Sequence, residues 1–547
     1  MSTSYDYVIV GGGSAGCVLA NRLSADGRNS VCLVEAGPTD RNPLIRMPLG
    51  IIPLVRGWFC NWKFWSEPQA HLCGRRLYQP RGKVLGGSSA INATVYTRGH
   101  PSDYDHWAAL GCEGWSYRDV LPYFIKSETF ELSCSDADRP FHGANGPLNV
   151  SERRHDNPLS KAFVRAAVQA GHQQNRDFNG ARQEGVGMFH VFQKGGQRHS
   201  NARAYLAPAA GRTNLTVLTA THATRVLFQG STAVGVRVLR KGRYQDLRAT
   251  KEVILSAGTF QSPQLLMLSG IGPGEELGRH GIEVLKELPG VGANLQDHLD
   301  VIVETRARSR VGVSFVPGAW PRLLLGWMNY VFRRKGEFTS NAAEAGGFFR
   351  SSDQEAVPDI QWHFLPAPNG QHGLDLSGVM TRYGYCLMSY DLRPASRGVV
   401  GLNSADPLAP PRIDPNYAAE ARDVARLVQA IRETRRVLAQ PALDAHRGVE
   451  IAPGAHLQSD EELADYVRRT AEIAYHPVGT CRMGPAGDTS SVVDARLRVH
   501  GVQRLRVVDC SIMPTVPGSN TNAPATMIGE KGADMILEDA DRLHAEG

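Results

Sequence analysis

The chain has 547 residues, 42% of them hydrophobic and 21% charged, with a formal net charge of +6. Such a composition belongs to a globular protein of several domain-lengths and excludes a disordered chain. The positive charge is small and forms no Lys/Arg block, so no nucleic-acid partner is expected.

The first element is "YDYVIV", residues 5–10, a short apolar strand. "GGGSAG" follows it, and "CVLANRLSA" then has helical periodicity. "SVCLVEAG", 30–37, is a second strand. A β–turn–α–β order within about 30 residues opens a dinucleotide-binding unit. Gly11 suits the tight turn, Gly13 the close approach of a pyrophosphate, and Gly16 the packing of helix on strand. Ser14 and Ala15 sit at the helix start, where free N–H groups favour phosphate charge. Glu35 ends the second strand, placed to accept hydrogen bonds from a ribose. A carboxylate there disfavours a 2′-phosphate, so FAD or NAD is expected over NADP.

Residues 40–80 are rich in Pro, Gly and Trp and read as irregular. "PRGKVLGGSSAINATVYTRG", 80–99, is a second glycine-rich stretch, able to bring backbone N–H groups against another part of a cofactor. "PLSKAFVRAAVQAG", 158–171, has the pattern of a helix stopped by Gly171. Residues 214–240 are β-rich with a turn at Gly230, and "KEVILSAG", 251–258, is a buried-type strand. From 303 to 459 aromatics and prolines increase and phosphate-type loops are absent, which suits a substrate-facing region. There Trp320, Trp327, Phe348, Phe349, Trp362 and Phe364 are available for an apolar cavity, and no cluster of acids suited to a quaternary ammonium stands out. "RLRVVDCSIMP", 504–514, returns to a buried strand, and "APATMIGEKGADMILEDA", 523–540, reads as a helix.

The opening residues have no basic segment followed by an apolar run, and no stretch reaches about 18 apolar residues. A cytoplasmic protein without spanning helices is expected. "WPRLLLGWMNYVFRRK", 320–335, has two readings: an interfacial helix on the inner face of a membrane, or a buried or cavity-lining helix with a solvated basic end. The nine cysteines are odd in number and lack CxxC spacing, which predicts reduced thiols, Cys481 among them, and no metal site.

Four long stretches carry a resemblance. Gly82 through Gly86, Gly87, Ser88, Ser89, Asn92, Tyr96 and Gly99 is similar throughout to the first signature of the glucose–methanol–choline (GMC) flavoprotein oxidoreductases. "GTFQSPQLLMLSGIG", 258–272, resembles the second, and "YHPVGTCRMG" and "PGSNTNAPATMIGEK" the C-terminal motifs. The resemblance covers nearly the whole chain. It implies an α/β fold: a Rossmann-type FAD-binding domain (1–150, 216–302 and 460–547) interleaved with an α+β substrate domain on an antiparallel sheet (151–215 and 303–459). It implies cofactor contacts from Gly11, Gly13, Ser14, Ala15, Gly16, Glu35, Ala36, Gly86, Gly87, Ser88, Asn92, Ala93, Thr94 and Val95. Further contacts are implied from Val226, Ala257, Asp509, Cys510, Asn522 and Pro524. The stretches 177–206, 336–349 and 412–420 resemble a membrane-associated branch that oxidises aliphatic primary alcohols and passes electrons to a respiratory quinone.

Flavin oxidation of an alcohol removes a hydride from carbon and a proton from the hydroxyl. A neutral imidazole is a suitable proton acceptor. The resemblance makes His476, held before Pro477, that base, and Asn520 its hydrogen-bonding partner. Some members tether FAD through a histidine just before the signature asparagine; Ile91 stands there, so FAD is expected to be non-covalent. Asn341 and Glu344 either line the cavity or structure a loop, and His363 either points into the cavity or packs. The expectation is oxidation of aliphatic or aromatic primary alcohols to aldehydes with a quinone or other acceptor. The alternatives are an oxidase of choline, polyethylene glycol or furanic alcohols using O2, and a non-redox flavin lyase.

Overall fold

The valine-rich opening forms β1 (Thr3–Val10), glycines end it, and α1 (Ser14–Leu23) and β2 (Val31–Val34) follow. The structure, a computed structural model, describes residues 3–57, 59–370, 372 and 374–546. Residues 1, 2, 58, 371, 373 and 547 fall within the expected domain or segment limits and lie outside the described residues. The region 40–80 is not wholly irregular: it holds short helices at Pro43–Arg46 and Ile51–Val55 and a ribbon of Phe64–Trp65 with Tyr78–Gln79. Next come α2 (Pro158–Gln169), β3 (Gly185–Met188), β4 (Leu215–Leu218), β5 (Thr221–Gln229), β6 (Thr232–Arg240) and β7 (Arg243–Leu255). The Asn157 side chain caps α2 by accepting the Leu159 N–H, and Gly171, at φ +98°, stands just beyond its end.

The second half contains β8 (Leu299–Ala307), α3 (Trp320–Arg333), β9 (Ala345–Phe349), β10 (Ile360–Leu365) and β11 (Gly384–Asp391). It continues with α4 (Ala421–Leu438), β12 (Arg447–Ala452), α5 (Asp460–Thr470), β13 (Glu472–Ile473), β14 (Leu505–Val507) and α6 (Asn522–Glu546).

One seven-stranded sheet has the order β4–β2–β1–β7–β6–β5, with β14 beside β7. Its centre is parallel, and β5, β6 and the start of β7 form an antiparallel meander. Val8, Ile9, Val31, Leu33, Val253 and Ile254 are fully buried, as central parallel strands covered on both faces require. α1 packs against α6, closing one side. The carboxyl ends of β1, β2, β7 and β14 converge on Gly11, Glu35, Ser256 and Asp509, the end at which open parallel sheets bind ligands.

The other seven-stranded sheet is antiparallel, ordered β12–β8–β11–β10–β9–β3, with β13 beside β8. Alternation divides β10. Trp362 and Phe364 enter the core with residues of α2, α4 and α5, while His363 and Leu365 face a cleft. This core also takes Leu463, Tyr466, Val467 and Ile473, so the chain stays with the second sheet beyond residue 460 and leaves it after Ile473. Ala202–Leu206, within the expected substrate segment, packs instead in the first core with α1.

The 320–335 segment is helical but not buried. Only Tyr330 of α3 is in the interior. Phe332 is 78% exposed, Leu325 67% and Trp320 62%, with Leu324, Trp327, Met328 and Val331 also outward. A buried or cavity-lining helix is therefore excluded. Its inner side packs on Phe338, and an apolar face lies outermost.

Candidate active site

A continuous cleft is walled by both sheets. At one end is the first glycine loop. Gly11 has φ +105°, and a Cβ on it would stand 2.3 Å from the Ser256 carbonyl oxygen. The Gly12 N–H donates to Glu35 Oε2 at 2.9 Å and the Gly37 N–H to Oε1 at 2.7 Å, which fixes the carboxylate at the end of β2. Burial pushes the Glu35 carboxyl up to about 7. A ribose offering hydroxyl donors would return it toward the ionised form. Gly11, Gly13, Ser14, Ala15, Glu35 and Ala36 all line the cleft. Gly16 lies behind the wall, where its missing side chain admits the Gly11 carbonyl.

The second glycine loop rests on the first. The Gly86 N–H donates to Gly12 O at 2.7 Å, and a Cβ on Gly87 would stand 2.7 Å from Gly13 Cα. Gly87, Ser88, Ile91, Asn92, Ala93, Thr94 and Val95 continue the wall, with Gly86 behind it. Ala257, Asp509, Cys510 and Asn522 close the other side. Asp509 accepts from Gly258 N–H and Ser262 Oγ, and Asn522 accepts from Ser14 Oγ at 2.8 Å. Pro524 is in the first turn of α6, off the wall. Val226 is off it too, buried with its N–H on Ser269 Oγ; in that strand Thr221, His222 and Ala223 form the wall.

At the opposite end His476 and Asn520 meet. Asn520 Oδ1 accepts from Thr97 Oγ1 and Gln361 Nε2, each at 3.0 Å. With its oxygen facing two donors, the amide turns Nδ2 toward His476 Nε2, 3.1 Å away. His476 Nε2 is thereby the acceptor nitrogen. The proton sits on Nδ1, which faces His298 Nδ1 at 3.1 Å. The His476 N–H donates to Asp297 Oδ1 at 2.7 Å, and Asp297 also accepts from the His298 N–H and the Tyr417 hydroxyl. Burial pushes His476 well below the usual imidazole range, and His298 and His363 nearby act in the same direction. Burial also pushes His298 and His363 down to about 3. The ring cluster is neutral, and the Nε2 lone pair of His476 is turned to the Asn520 amide at the cleft wall.

Neighbouring expectations divide. His363 and Asn341 do line the cleft, whereas Glu344 is a structural acceptor for Asn157 N–H, Ser160 Oγ and Ser340 Oγ. Cys481 is a fully buried free thiol. None of Trp320, Trp327, Phe348, Phe349, Trp362 and Phe364 lines the cleft; Val313, Phe315, Leu365, Val379, Met388 and Tyr390 form its apolar part. The aromatic residues of that list on strands either face the helices or fill a separate core, which composition alone does not reveal. Sequence reasoning missed Thr97, Gln361, Asp297 and His298. The one local signal was the polar run "QDH", 296–298, at the head of β8.

GMC oxidoreductase family profiles match residues 5–300 and 394–529. An alcohol dehydrogenase [acceptor] of Pseudomonas putida is 48% identical over 98% of this chain and 96% of its own. An oxygen-dependent choline dehydrogenase of Brucella anthropi is 42% identical over 97% and 95%. Among solved structures, pyridoxine 4-oxidase from Mesorbium loti superposes with a TM-score of 0.87 at 32% identity, covering 97% of this chain and 99% of that one. A formate oxidase of Aspergillus oryzae superposes at 0.91 and 28%, covering 99% of each.

Proposed function

Because the chain belongs to the GMC oxidoreductase family, we propose that it oxidises primary alcohols to aldehydes, with His476 as the base and Asn520 as its hydrogen-bonding partner. The observation that carries the reading is the oriented lone pair of His476 Nε2 beside the Asn520 amide, in the same cleft that the glycine loops line. FAD is the cofactor, and the residues fit it: a side-chain-free cradle at Gly11, Gly13 and Gly87, a fixed Glu35 carboxylate, and a cleft continuing to His476. Bound there, FAD supplies the acceptor for the hydride that leaves the alcohol carbon.

The chain's own part begins with positioning. Free N–H groups at the start of α1 would hold the diphosphate of FAD, and Glu35 would accept from its ribose hydroxyls. The alcohol hydroxyl displaces the direct contact between His476 Nε2 and Asn520 Nδ2 and bonds to both groups. Asn520 donates to the oxygen as negative charge develops, and His476 accepts the proton. Its Nδ1–H, held by His298, prevents the ring from turning its protonated nitrogen to the substrate. The apolar wall of Val313, Phe315, Leu365 and Val379 favours an aliphatic or aromatic chain. On this reading residues 1–150, 216–302 and the return after Ile473 hold the cofactor, and the second sheet holds the substrate. An alcohol panel of varied chain length, read by anaerobic bleaching of the flavin band, tests the reading; no bleaching by any alcohol refutes it.

Three outcomes follow from particular residues. Gln361→Leu removes one of the two donors that orient the Asn520 amide, and kcat should fall roughly tenfold, the worth of one buried hydrogen bond, with FAD content unchanged. Ile91 offers no nucleophile to the cleft, so acid precipitation should release all flavin into the supernatant; yellow pellets would contradict this.

The third concerns the acceptor. No helix among the described residues is long and apolar enough to cross a membrane. The outward apolar face of α3, flanked by Arg333, Arg334 and Lys335, supports peripheral contact with an anionic bilayer, where a quinone acceptor would be met. The protein should float with anionic liposomes, and Leu325→Glu/Phe332→Glu should remain below them.

A further inference from the structure

Next to the reacting end of the cleft lies a charge pair that alcohol oxidation does not use. Asp300, in β8, is 0% exposed and does not itself line the cleft. His372 does line it, and its Nε2 lies 3.1 Å from Asp300 Oδ1 and 3.0 Å from Oδ2. The imidazole therefore stands between the cleft and the carboxylate. Burial disfavours a charged ring here, but the Asp300 carboxylate outweighs it and holds His372 above the usual imidazole range.

Two other carboxylates of the same sheet, Glu304 in β8 and Glu472 in β13, lie off the cleft wall and are matched differently. Glu304 is held by Arg382 at 2.7 Å and Glu472 by Arg75 at 2.5 Å. An arginine stays charged and fixed at both. Among the described residues, Asp300 has as its ion-pair partner only an imidazole, carried on the connection between β10 and the short helix Ser377–Thr381. Two aromatic rings frame the pair. Tyr390 is the register neighbour of Asp300 across β8 and β11, and Tyr475 meets the His372 ring edge-on at 5.6 Å between centroids. Both tyrosines line the cleft. A buried carboxylate framed by aromatic rings is the chemistry that binds an organic cation. Here the protein's own side chain fills that place.

We propose that His372 is a specificity-determining residue: a built-in counter-ion that masks Asp300, so that the cleft takes uncharged alcohols and excludes alcohols carrying an ammonium group. The inference rests on alcohol oxidation at His476. It predicts that removing the ring uncovers Asp300 to the cleft without disturbing His476, whose contacts are to Asn520, His298 and Asp297. A quaternary ammonium alcohol would then seat its cation against Asp300 and its hydroxyl toward His476.

The test compares a neutral primary alcohol with choline as the cationic probe, in the parent holoenzyme, in His372→Ala, and in His372→Ala/Asp300→Asn. In His372→Ala, kcat/KM for choline should rise roughly tenfold or more through KM, while that for the neutral alcohol stays within about threefold. Adding Asp300→Asn should abolish the gain. Equal changes for both alcohols, a gain that survives Asp300→Asn, or a parent enzyme that already prefers choline would overturn the proposal. His372→Gln, which keeps polarity and much of the volume, replaces the alanine variant if the latter yields no holoprotein; failure of both would make the pair structural and would also overturn it. Choline binding is read independently from the perturbed flavin spectrum without turnover. A parent that no alcohol reduces would refute the alcohol reading itself, whereas normal neutral-alcohol turnover without the choline gain would refute only the role of His372.

Discussion

Replacing His476 by alanine should give a folded, FAD-loaded protein whose turnover of primary alcohols falls by roughly 10²–10⁴-fold, the usual worth of a positioned general base. The side chain reaches the cleft from a segment fixed by its own backbone, through the His476 N–H on Asp297 and the paired backbone hydrogen bonds between Val478 and Gln296. Its removal leaves the glycine loops and Glu35 untouched, so flavin content should match the parent. Rapid-mixing measurement of anaerobic flavin reduction separates the chemical step from reoxidation. An unchanged reduction rate would refute the assignment.

The pH profile adds a second check. A histidine ordinarily protonates near pH 6.5, and a base works only while neutral. Burial holds His476 well below that value. As pH falls the base is therefore still neutral where a free imidazole would be lost. The kcat/KM of the parent should stay flat from about pH 8 down to about pH 6; a fall centred near pH 6.5 would contradict the buried, neutral ring.

Gly16→Val should abolish cofactor binding. A Cβ at Gly16 would stand 1.9 Å from the Gly11 carbonyl oxygen, a backbone atom that cannot rotate away. The loop that receives the diphosphate would have to leave the end of β1, at a cost beyond ~4 kcal/mol. Purified variant should carry little or no flavin and unfold at a lower temperature. Gly278→Ala is the control, because a Cβ there meets nothing within 4 Å and alanine favours the helix Gly274–Arg279. Full flavin occupancy in Gly16→Val would show that the contact is relieved some other way.

The glycine loops were legible because their chemistry is local. Gly11, Gly13 and Gly16 act within one turn of chain, and β1, α1 and β2 follow each other without a crossover. The resemblance singled out His476 and Asn520, and the structure brings these two residues together. The neighbours that orient them were not legible. Thr97, Gln361 and His298 lie 423, 159 and 178 residues from their partners, and no periodicity reports such pairings. The aromatic wall failed for a related reason. Trp362 and His363 are adjacent in sequence but face opposite sides of β10, and only the packing of α2, α4 and α5 decides which side is core.

The sequence by itself determined the dinucleotide-binding order of elements, the acidic end of β2, and the amphipathic character of residues 320–335. All of these are local patterns of glycine, charge and apolar spacing. Tertiary structure alone decided that α3 turns its apolar face outward, that two donors fix the Asn520 amide and hence the tautomer of His476, and that His372 covers Asp300. Each of these depends on groups brought from distant parts of the chain, where burial and hydrogen-bond geometry, rather than residue type, set the outcome.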